Sequence, residues 1–375
     1  MYIIDMSYEV KCSKCNRLSE SLLDFKCPSC GQPLSVEPLL DFKVEAIDTK
    51  SRSLWRYMKF FPYIDEHYTI TLGEGWTPLV RFTGKVYFKL ENLNPTGSFK
   101  DRGSSILISA LYRKLREIGG YLSEDSSGNA GASIAAYAAR AGLKAKIYVP
   151  ENISGLKLNQ IKSYGAEIVK VSGPRDKATE EAQISEKGKV YVGHVLHPLF
   201  RDGLRSLAYE LLEQFNWRAP ECIYLPVSAG TLLLGVISGF KHMVESGVVD
   251  EMPKIIACQT KQVSPLHHAF KNIPYKPPER VTSIADALVN VNPPLLNIMV
   301  EELKKVNGDV AVVDEDEIFN AFLELARRGF LVEPSSAVAY ATYKKRVLSG
   351  EDWEDYETVI VITGSGLKAA IKLQQ

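Results

Sequence analysis

Short β-branched runs recur along most of this chain, and helical patterns fill the intervals between them. The runs are KVYFKL (85–90), KAKIYVP (144–150), AEIVKV (166–171), KVYVG (189–193), ECIYLPV (221–227), KIIACQ (254–259), DVAVV (309–313) and TVIVIT (358–363). Between them NAGASIAAYAARAG (129–142), RDGLRSLAYELLEQF (201–215) and DEDEIFNAFLELARRG (314–329) carry apolar residues at helical spacing. Nearly unbroken apolar strands alternating with helices demand parallel sheets covered on both faces, because each crossover helix lies against the sheet it connects. Eight such strands are more than one small sheet takes comfortably, so two doubly wound α/β domains are expected. In that architecture ligands bind beyond the carboxyl ends of the strands, in loops that run into helices.

Four such loops are unusual. The first, ENLNPTGSFKDRG (91–103), sets Lys100 beside Phe99 at the start of the helical segment SSILISALYRKLREIG. A cation gains nothing from the positive end of a helix dipole. A lysine there suits chemistry that needs a neutral amine able to form a Schiff base, although a solvated charge accounts for the position equally well on its own. The second loop, EDSSGNAGAS (124–133), lets backbone N–H groups approach an anion such as a carboxylate; taken alone it also reads as an ordinary helix cap. The third, LPVSAGTLLLG (225–235), follows a strand and opens an apolar helix, the geometry that cradles a phosphate. It has neither the Gly-Lys-Ser/Thr of a P-loop nor the three-glycine spacing of a dinucleotide fingerprint. The fourth, VIVITGSGLKAA (359–370), ends a buried strand in Thr363, Gly364, Ser365 and Gly366, where a hydroxyl can face a ligand nitrogen. An amine for a Schiff base, an anion loop, a phosphate cradle and a hydroxyl are together the contacts that pyridoxal phosphate needs.

The six cysteines fall into two groups. Cys12, Cys15, Cys27 and Cys30 form two CxxC knuckles eleven residues apart, with Pro28 and Gly31 at the second turn. That is the spacing of a small zinc ribbon, in which four thiolates close a tetrahedral shell around a structural Zn2+ and leave no position open for catalysis. A pair of disulfides is the alternative, disfavoured in a reducing compartment. Cys222 and Cys258 stand in apolar runs and read as buried strand residues. Lys+Arg and Asp+Glu number 45 each, so no basic surplus points to nucleic acid or an anionic membrane. The opening MYIIDMSYEV carries acids and lacks an apolar core, so no secretory leader is expected there. No run approaches the ~18 apolar residues of a membrane span. A cytoplasmic protein is expected.

The segments LGEGWTPL (72–79), KLENLNPTGSFKDRG (89–103), SSGNAGASIAAYAARAG (126–142), EPSSA (333–337) and TGSGLK (363–368) resemble the motif series of fold type II pyridoxal phosphate enzymes, the tryptophan synthase β-like fold. Within that group they are most similar to the threonine synthases, whose archaeal members often carry an N-terminal zinc ribbon. The resemblance implies a ribbon over 1–36, a large cofactor-binding domain from 37–95 and 206–375, a small domain over 96–205, and a homodimer. It implies that Lys100 holds the cofactor and moves protons, with Phe99 and Asn129 beside it and Asn129 at the 3′ oxygen. Ser126, Ser127, Gly128 and Ala130 would hold the substrate. Val227, Ser228, Ala229, Gly230 and Thr231 would bind the cofactor phosphate, and Thr363, with Ser365 as second candidate, would meet the ring nitrogen. The implied reaction turns O-phosphohomoserine and water into threonine and phosphate, the work of a carbon–oxygen lyase acting on a small amino-acid phosphoester.

The chain departs from the family pattern in three places. Val227 and Ser228 stand where Gly and Asn are usual, Ala130 replaces a hydroxyl residue, and Arg201 in HPLFRDG (197–203) comes one position late in the segment that clamps substrate phosphate. Arg201 and Arg205 are the candidates for that anion, with a solvated helix face as the alternative. Three other readings stay open: β-replacement on O-phosphoserine, as in a cysteate or cysteine synthase; dehydration of free serine or threonine; and a ribbon protein whose α/β body only binds. His194, His197, His267 and His268 are read as structural or surface residues, His197 lying next to the anion candidates.

Overall fold

The computed structural model describes residues 7–153, 155–173, 175–351 and 355–369; most of the segment read as no secretory leader lies outside them. In chain order the first elements are β1 (Tyr8–Cys12), β2 (Leu34–Pro38), β3 (Leu79–Thr83), β4 (Val86–Leu90), α1 (Lys100–Ile118), β5 (Tyr121–Glu124), α2 (Asn129–Arg140) and β6 (Lys144–Pro150). Then follow α3 (Leu156–Ser163), β7 (Glu167–Val171), α4 (Arg175–Gln183), β8 (Lys189–Tyr191), α5 (Pro198–Gly203), α6 (Ser206–Gln214), β9 (Cys222–Pro226) and α7 (Thr231–Glu245). The last are β10 (Lys254–Thr260), α8 (Pro265–Phe270), α9 (Leu296–Lys305), β11 (Asp309–Val313), α10 (Glu315–Arg327), α11 (Pro334–Leu348) and β12 (Thr358–Ile362). All eight expected strands are present, within a residue or two of their ends. RDGLRSLAYELLEQF, one helical pattern in the sequence, is two helices, because the chain turns at Leu204 and Arg205, whose N–H groups bond Arg201 and Asp202 carbonyls in a tight turn.

The chain divides into two compact units, Met1–Gly75 with Lys100–Ser206 (unit 1) and Trp76–Phe99 with Leu207–Gln375 (unit 2). Residues 37–75, expected with the large domain, group with unit 1, and the chain passes from unit 2 into unit 1 between Phe99 and Lys100. Side chains explain the grouping. Arg205 donates to the Phe60 carbonyl at 2.9 Å. The buried Glu74 carboxylate accepts from Trp55 Nε1 at 2.7 Å, Tyr137 Oη at 2.6 Å and Ser105 Oγ at 2.5 Å. A desolvated carboxylate is tolerated only with donors of this quality around it.

Unit 1 holds a four-stranded parallel sheet in the order β7-β6-β5-β8 and the separate antiparallel pair β1-β2, which brackets the cysteine knuckles. Alanines let α2 lie close against its neighbours, and Ala130 through Ala138 are all buried. Helices α1 and α5 approach more closely still. A Cβ on Gly103 would fall 2.6 Å from the Phe200 ring, and one on Gly203 2.6 Å from the Arg102 carbonyl oxygen. Only glycine permits that contact.

Unit 2 holds a six-stranded sheet in the order β11-β10-β9-β12-β4-β3, parallel except for β3 at one edge. β9 and β12 are buried at every position, which is why their sequences read as unbroken apolar runs rather than alternating ones. Phe88, Tyr224, Ile256, Ile360 and Val338 meet in the core beneath α11, each worth about 1.5–3 kcal/mol of burial.

Candidate active site

Lys100 is the first residue of α1. It is half-buried as a residue, and desolvation of its amine lowers its pKa to about 8, against an upward pull from the Glu124 carboxylate. Its Nζ lies 5.7 Å from the centre of the Phe200 ring. The amine is therefore partly neutral near physiological pH, as Schiff-base and proton-transfer chemistry requires.

The loop Ser126-Ser127-Gly128 runs from β5 into α2, a helix of 12 residues. Ser126 Oγ accepts from the Gly128 N–H at 3.2 Å, folding the loop back on itself. Gly128 stands at the N-cap with no side-chain hydrogen bond to the helix, so the dipole and N–H groups of the first turn are offered by backbone alone. Asn129 opens that turn, and Ala130 is buried in the packed face of α2.

In unit 2, Val227 is buried and donates its N–H to the Cys258 carbonyl at 2.9 Å, extending the sheet pairing of β9. Ser228, Ala229 and Gly230 then lead into α7, of 15 residues. Gly230 has φ +93° at the N-cap of that helix, a conformation costly to any residue with a Cβ. A Cβ there would also lie 2.3 Å from Met299 Sδ. The first turn of α7, with Thr231 at its start, is a cradle formed by backbone, suited to a phosphate.

The first and fourth loops are joined within unit 2. The Phe99 N–H donates to the Thr363 carbonyl at 3.1 Å, the Ser365 N–H to the Gly97 carbonyl at 3.0 Å, and Lys368 Nζ to the Thr96 carbonyl at 2.6 Å. Thr363 Oγ1 lies 2.9 Å from Ser336 Oγ, which itself accepts from the Gly364 N–H at 2.8 Å. Ser365 Oγ instead receives the Leu367 N–H at 3.4 Å and caps a short turn.

The two arginine candidates are engaged elsewhere in unit 1. Arg201 is buried and gives its guanidinium to three carbonyls, Val195 at 2.8 Å, Leu196 at 3.0 Å, and Leu34 on ribbon strand β2. Burial lowers its pKa to about 10. Arg205 is buried against Asp202 at 2.9 Å and packs over the Phe61 ring at 5.1 Å. His197 is fully enclosed, and burial, then Arg201, lowers its pKa to about 3, so it is neutral. Val195, Leu196 and Asp202 are near in sequence, but the Leu34 and Phe60 carbonyls lie far along the chain, and no local pattern announces them.

Four residues matter that the sequence reading did not single out for the site. Glu124, the buried last residue of β5, accepts from the His194 N–H at 3.0 Å and lies 2.7 Å from His194 Nδ1. Phe200 stands beside Lys100, and Ser336 beside Thr363. Glu124 is visible in the sequence only as the first acid of EDSSGNAGAS, one residue before Asp125.

The cysteine group has the shape of a metal centre. The Sγ atoms of Cys12, Cys15, Cys27 and Cys30 all lie within 4.8 Å of one another, with pairs at 3.5, 3.6 and 3.7 Å. All four thiols are free. Four sulfurs at ~2.3 Å around a tetrahedral ion stand about 3.8 Å apart, which fits this set. The residues expected to hold pyridoxal phosphate suit it as well: a lysine whose amine burial leaves partly neutral, a backbone cradle at a long helix that a Cβ would disrupt, and an uncharged hydroxyl at Thr363.

Comparison with known proteins agrees with this geometry. Residues 70–364 match the family described as pyridoxal-phosphate dependent enzyme. A threonine synthase of Methanocaldococcus jannaschii is 32% identical, covering 98% of this chain and 94% of that protein. One of Halalkalibacterium halodurans is 32% identical, covering 84% of this chain and 90% of its own. Among solved structures, the processed form of threonine deaminase isoform 2 from Solanum lycopersicum superposes with a TM-score of 0.68 over 91% of this chain and 94% of that one, at 20% identity, a likeness of fold.

Proposed function

The chain belongs to the pyridoxal-phosphate dependent enzyme family, and on that premise we propose that it works as a threonine synthase, converting O-phosphohomoserine and water into threonine and phosphate. The observation that carries this is the 32% identity to a threonine synthase across 98% of the chain. Pyridoxal phosphate, when bound, supplies an electron sink for the negative charge left when a proton leaves the substrate carbon next to the amine.

The chain's own groups do the rest. Lys100, its amine poised by burial near a pKa of about 8, holds the cofactor and takes and returns protons at the substrate's α-carbon. Ser126, Ser127, Gly128 and the first turn of α2 would bind the substrate carboxylate, and Asn129 would hold the cofactor at its 3′ oxygen. Ser228 to Thr231 at the head of α7 bind the cofactor phosphate, with Val227 fixing the strand from which they spring. The Thr363 hydroxyl, held by Ser336, would be an uncharged partner for the cofactor's ring nitrogen. Loss of a β-proton and departure of phosphate with the γ C–O electron pair, protonation at the γ-carbon, and addition of water at the β-carbon complete the balance.

Arg201 and Arg205, engaged as they are with carbonyls and Asp202, act as framework; the substrate phosphate is held by other donors. The four cysteines bind a structural Zn2+, and the enzyme is a cytoplasmic homodimer. Elemental analysis of the purified protein and sedimentation velocity test those two statements.

The deciding assay measures threonine and phosphate from O-phosphohomoserine, with Lys100→Ala as control and O-phosphoserine plus sulfide in parallel. Equal amounts of threonine and phosphate, lost in the control, support the reading. Phosphate released only in the phosphoserine reaction overturns it in favour of β-replacement.

A further inference from the structure

We propose that Glu124 and His194 form a proton-exchange pair for Lys100, a positioning device that lets the lysine give up its proton without stranding a buried charge. The proposal rests on the reading of Lys100 as the cofactor lysine.

The geometry lies wholly within unit 1. β5 and β8 run side by side with Ser123 opposite Tyr191, so the buried end of β5 meets the chain leaving β8. The Val192 N–H bonds the Ser123 carbonyl at 2.9 Å, and two residues later His194 gives its N–H to one oxygen of Glu124 and sets Nδ1 2.7 Å from the other. The His194 ring stands edge-on to Phe200, centroids 5.8 Å apart at 71°. The Lys100 amine lies 5.7 Å from the same ring. Phe200 is itself wedged in place, since even a methyl on Gly103 would strike it. Amine and imidazole thus share one fixed aromatic wall, and the imidazole in turn holds the buried carboxylate.

Proton accounting gives the arrangement its meaning. With the His194 Nδ1–H donating to an ionised Glu124, the pair carries one negative charge and balances the Lys100 ammonium. Loss of the Lys100 proton, matched by uptake of one proton on the pair, leaves a neutral amine, a neutral imidazole and a carboxylic acid. One buried ion pair becomes two neutral partners, and burial favours the neutral forms on every member. Desolvation lowers the Lys100 pKa to about 8. Desolvation, then Asp125, raises Glu124, and desolvation, then Lys100, lowers His194. The other charges facing the pair are Asp125 and Arg175, with Tyr191 donating to Asp125 at 2.8 Å. Glu124 acts through the lysine, as a positioning residue.

The test follows the lysine rather than turnover. Cofactor-free protein is mixed with pyridoxal 5′-phosphate across a pH series, trapped with borohydride, and the adduct on Lys100 quantified by mass spectrometry. The wild type should reach its half-maximal rate near pH 8. Glu124→Gln keeps an acceptor for the His194 N–H but carries no charge, so the ammonium loses its partner and the midpoint falls by about one unit. At pH 6 that appears as a roughly tenfold faster reaction. Glu124→Asp, which restores the charge, should return the midpoint toward the wild-type value. His194→Leu removes the donor that keeps the carboxylate ionised and should also lower the midpoint, so either neutralising change decides the matter if the other fails to fold. An unchanged midpoint with Lys100 still labelled overturns the proton-exchange pair and leaves the cofactor reading intact. Absence of any Lys100 adduct in the wild type overturns both.

Discussion

Replacing Gly230 by alanine is expected to damage the head of α7 and the stability of unit 2 together. At φ +93° the left-handed backbone costs a residue with a Cβ about 1–2 kcal/mol. The new methyl would also lie 2.3 Å from Met299 Sδ and 2.7 Å from its Cγ. Met299 is fully buried, so it cannot swing into solvent, but its flexible thioether can adjust at the low end of overpacking costs, about 1–2 kcal/mol. The two effects sum to about 2–4 kcal/mol. Met299→Ala alone should cost about 2–4 kcal/mol as a cavity mutation. In the double variant the methyl enters the vacated space, so the pair should be about 1–2 kcal/mol less destabilising than the sum of its parts. The backbone penalty stays. Urea unfolding of the three variants measures this coupling, and the cofactor absorbance that survives gel filtration reports on the cradle. Strict additivity would refute the steric argument. Full retention of pyridoxal phosphate by Gly230→Ala would remove Gly230 from the phosphate site.

Two further outcomes follow from buried charges. Lys89 and Glu210 form an ion pair with both side chains at 0% exposure, and Lys89 also donates to the Thr77 carbonyl and Gln214 Oε1, each at 2.7 Å. Lys89→Met strands the carboxylate and should cost about 3–5 kcal/mol in urea unfolding; a loss below about 1 kcal/mol would contradict the burial. Burial pushes the Asp309 carboxyl up, but the bonds from Lys271 Nζ, the Val310 N–H and Arg346 outweigh it and hold the pKa below its ordinary value. A lowered folded-state pKa stabilises above the unfolded value and is lost as pH falls through the folded one. Asp309→Asn should therefore cost about 1–2 kcal/mol at pH 7, with the gap to wild type closing below about pH 4. A gap independent of pH would show that the charge is not what Asp309 contributes.

Unbroken apolar strands such as TVIVI announced themselves because burial on both faces removes every polar position. β5 did not, being four residues long, YLSE, with a serine and a glutamate that are both buried. Its polar residues are satisfied by partners distant in sequence, Ser123 by the Ala182 carbonyl and Glu124 by His194. The glycine and hydroxyl loops were legible because backbone cradles need those residue types locally. The fate of Arg201 was not, since its three acceptors are carbonyls that any residue supplies, one of them 167 positions away. Nor did local sequence show that residues 37–75 go with unit 1, because Phe60 is held there by Arg205, and Glu74 by Ser105 and Tyr137.

The short helix α5 has one further consequence. Arg201 anchors it to the Leu34 carbonyl of the cysteine ribbon, while its neighbour Phe200 braces the Lys100 amine. One peptide bond separates the two attachments. Mechanically the ribbon is therefore an abutment for the lysine rather than an ornament at the end of the chain. Pruning residues 7–38 would leave a desolvated guanidinium without one of its acceptors, and the relaxation that follows would run straight into the wall beside the reacting amine. A small knot of sulfur with no part in the chemistry would then set how steadily that chemistry is held.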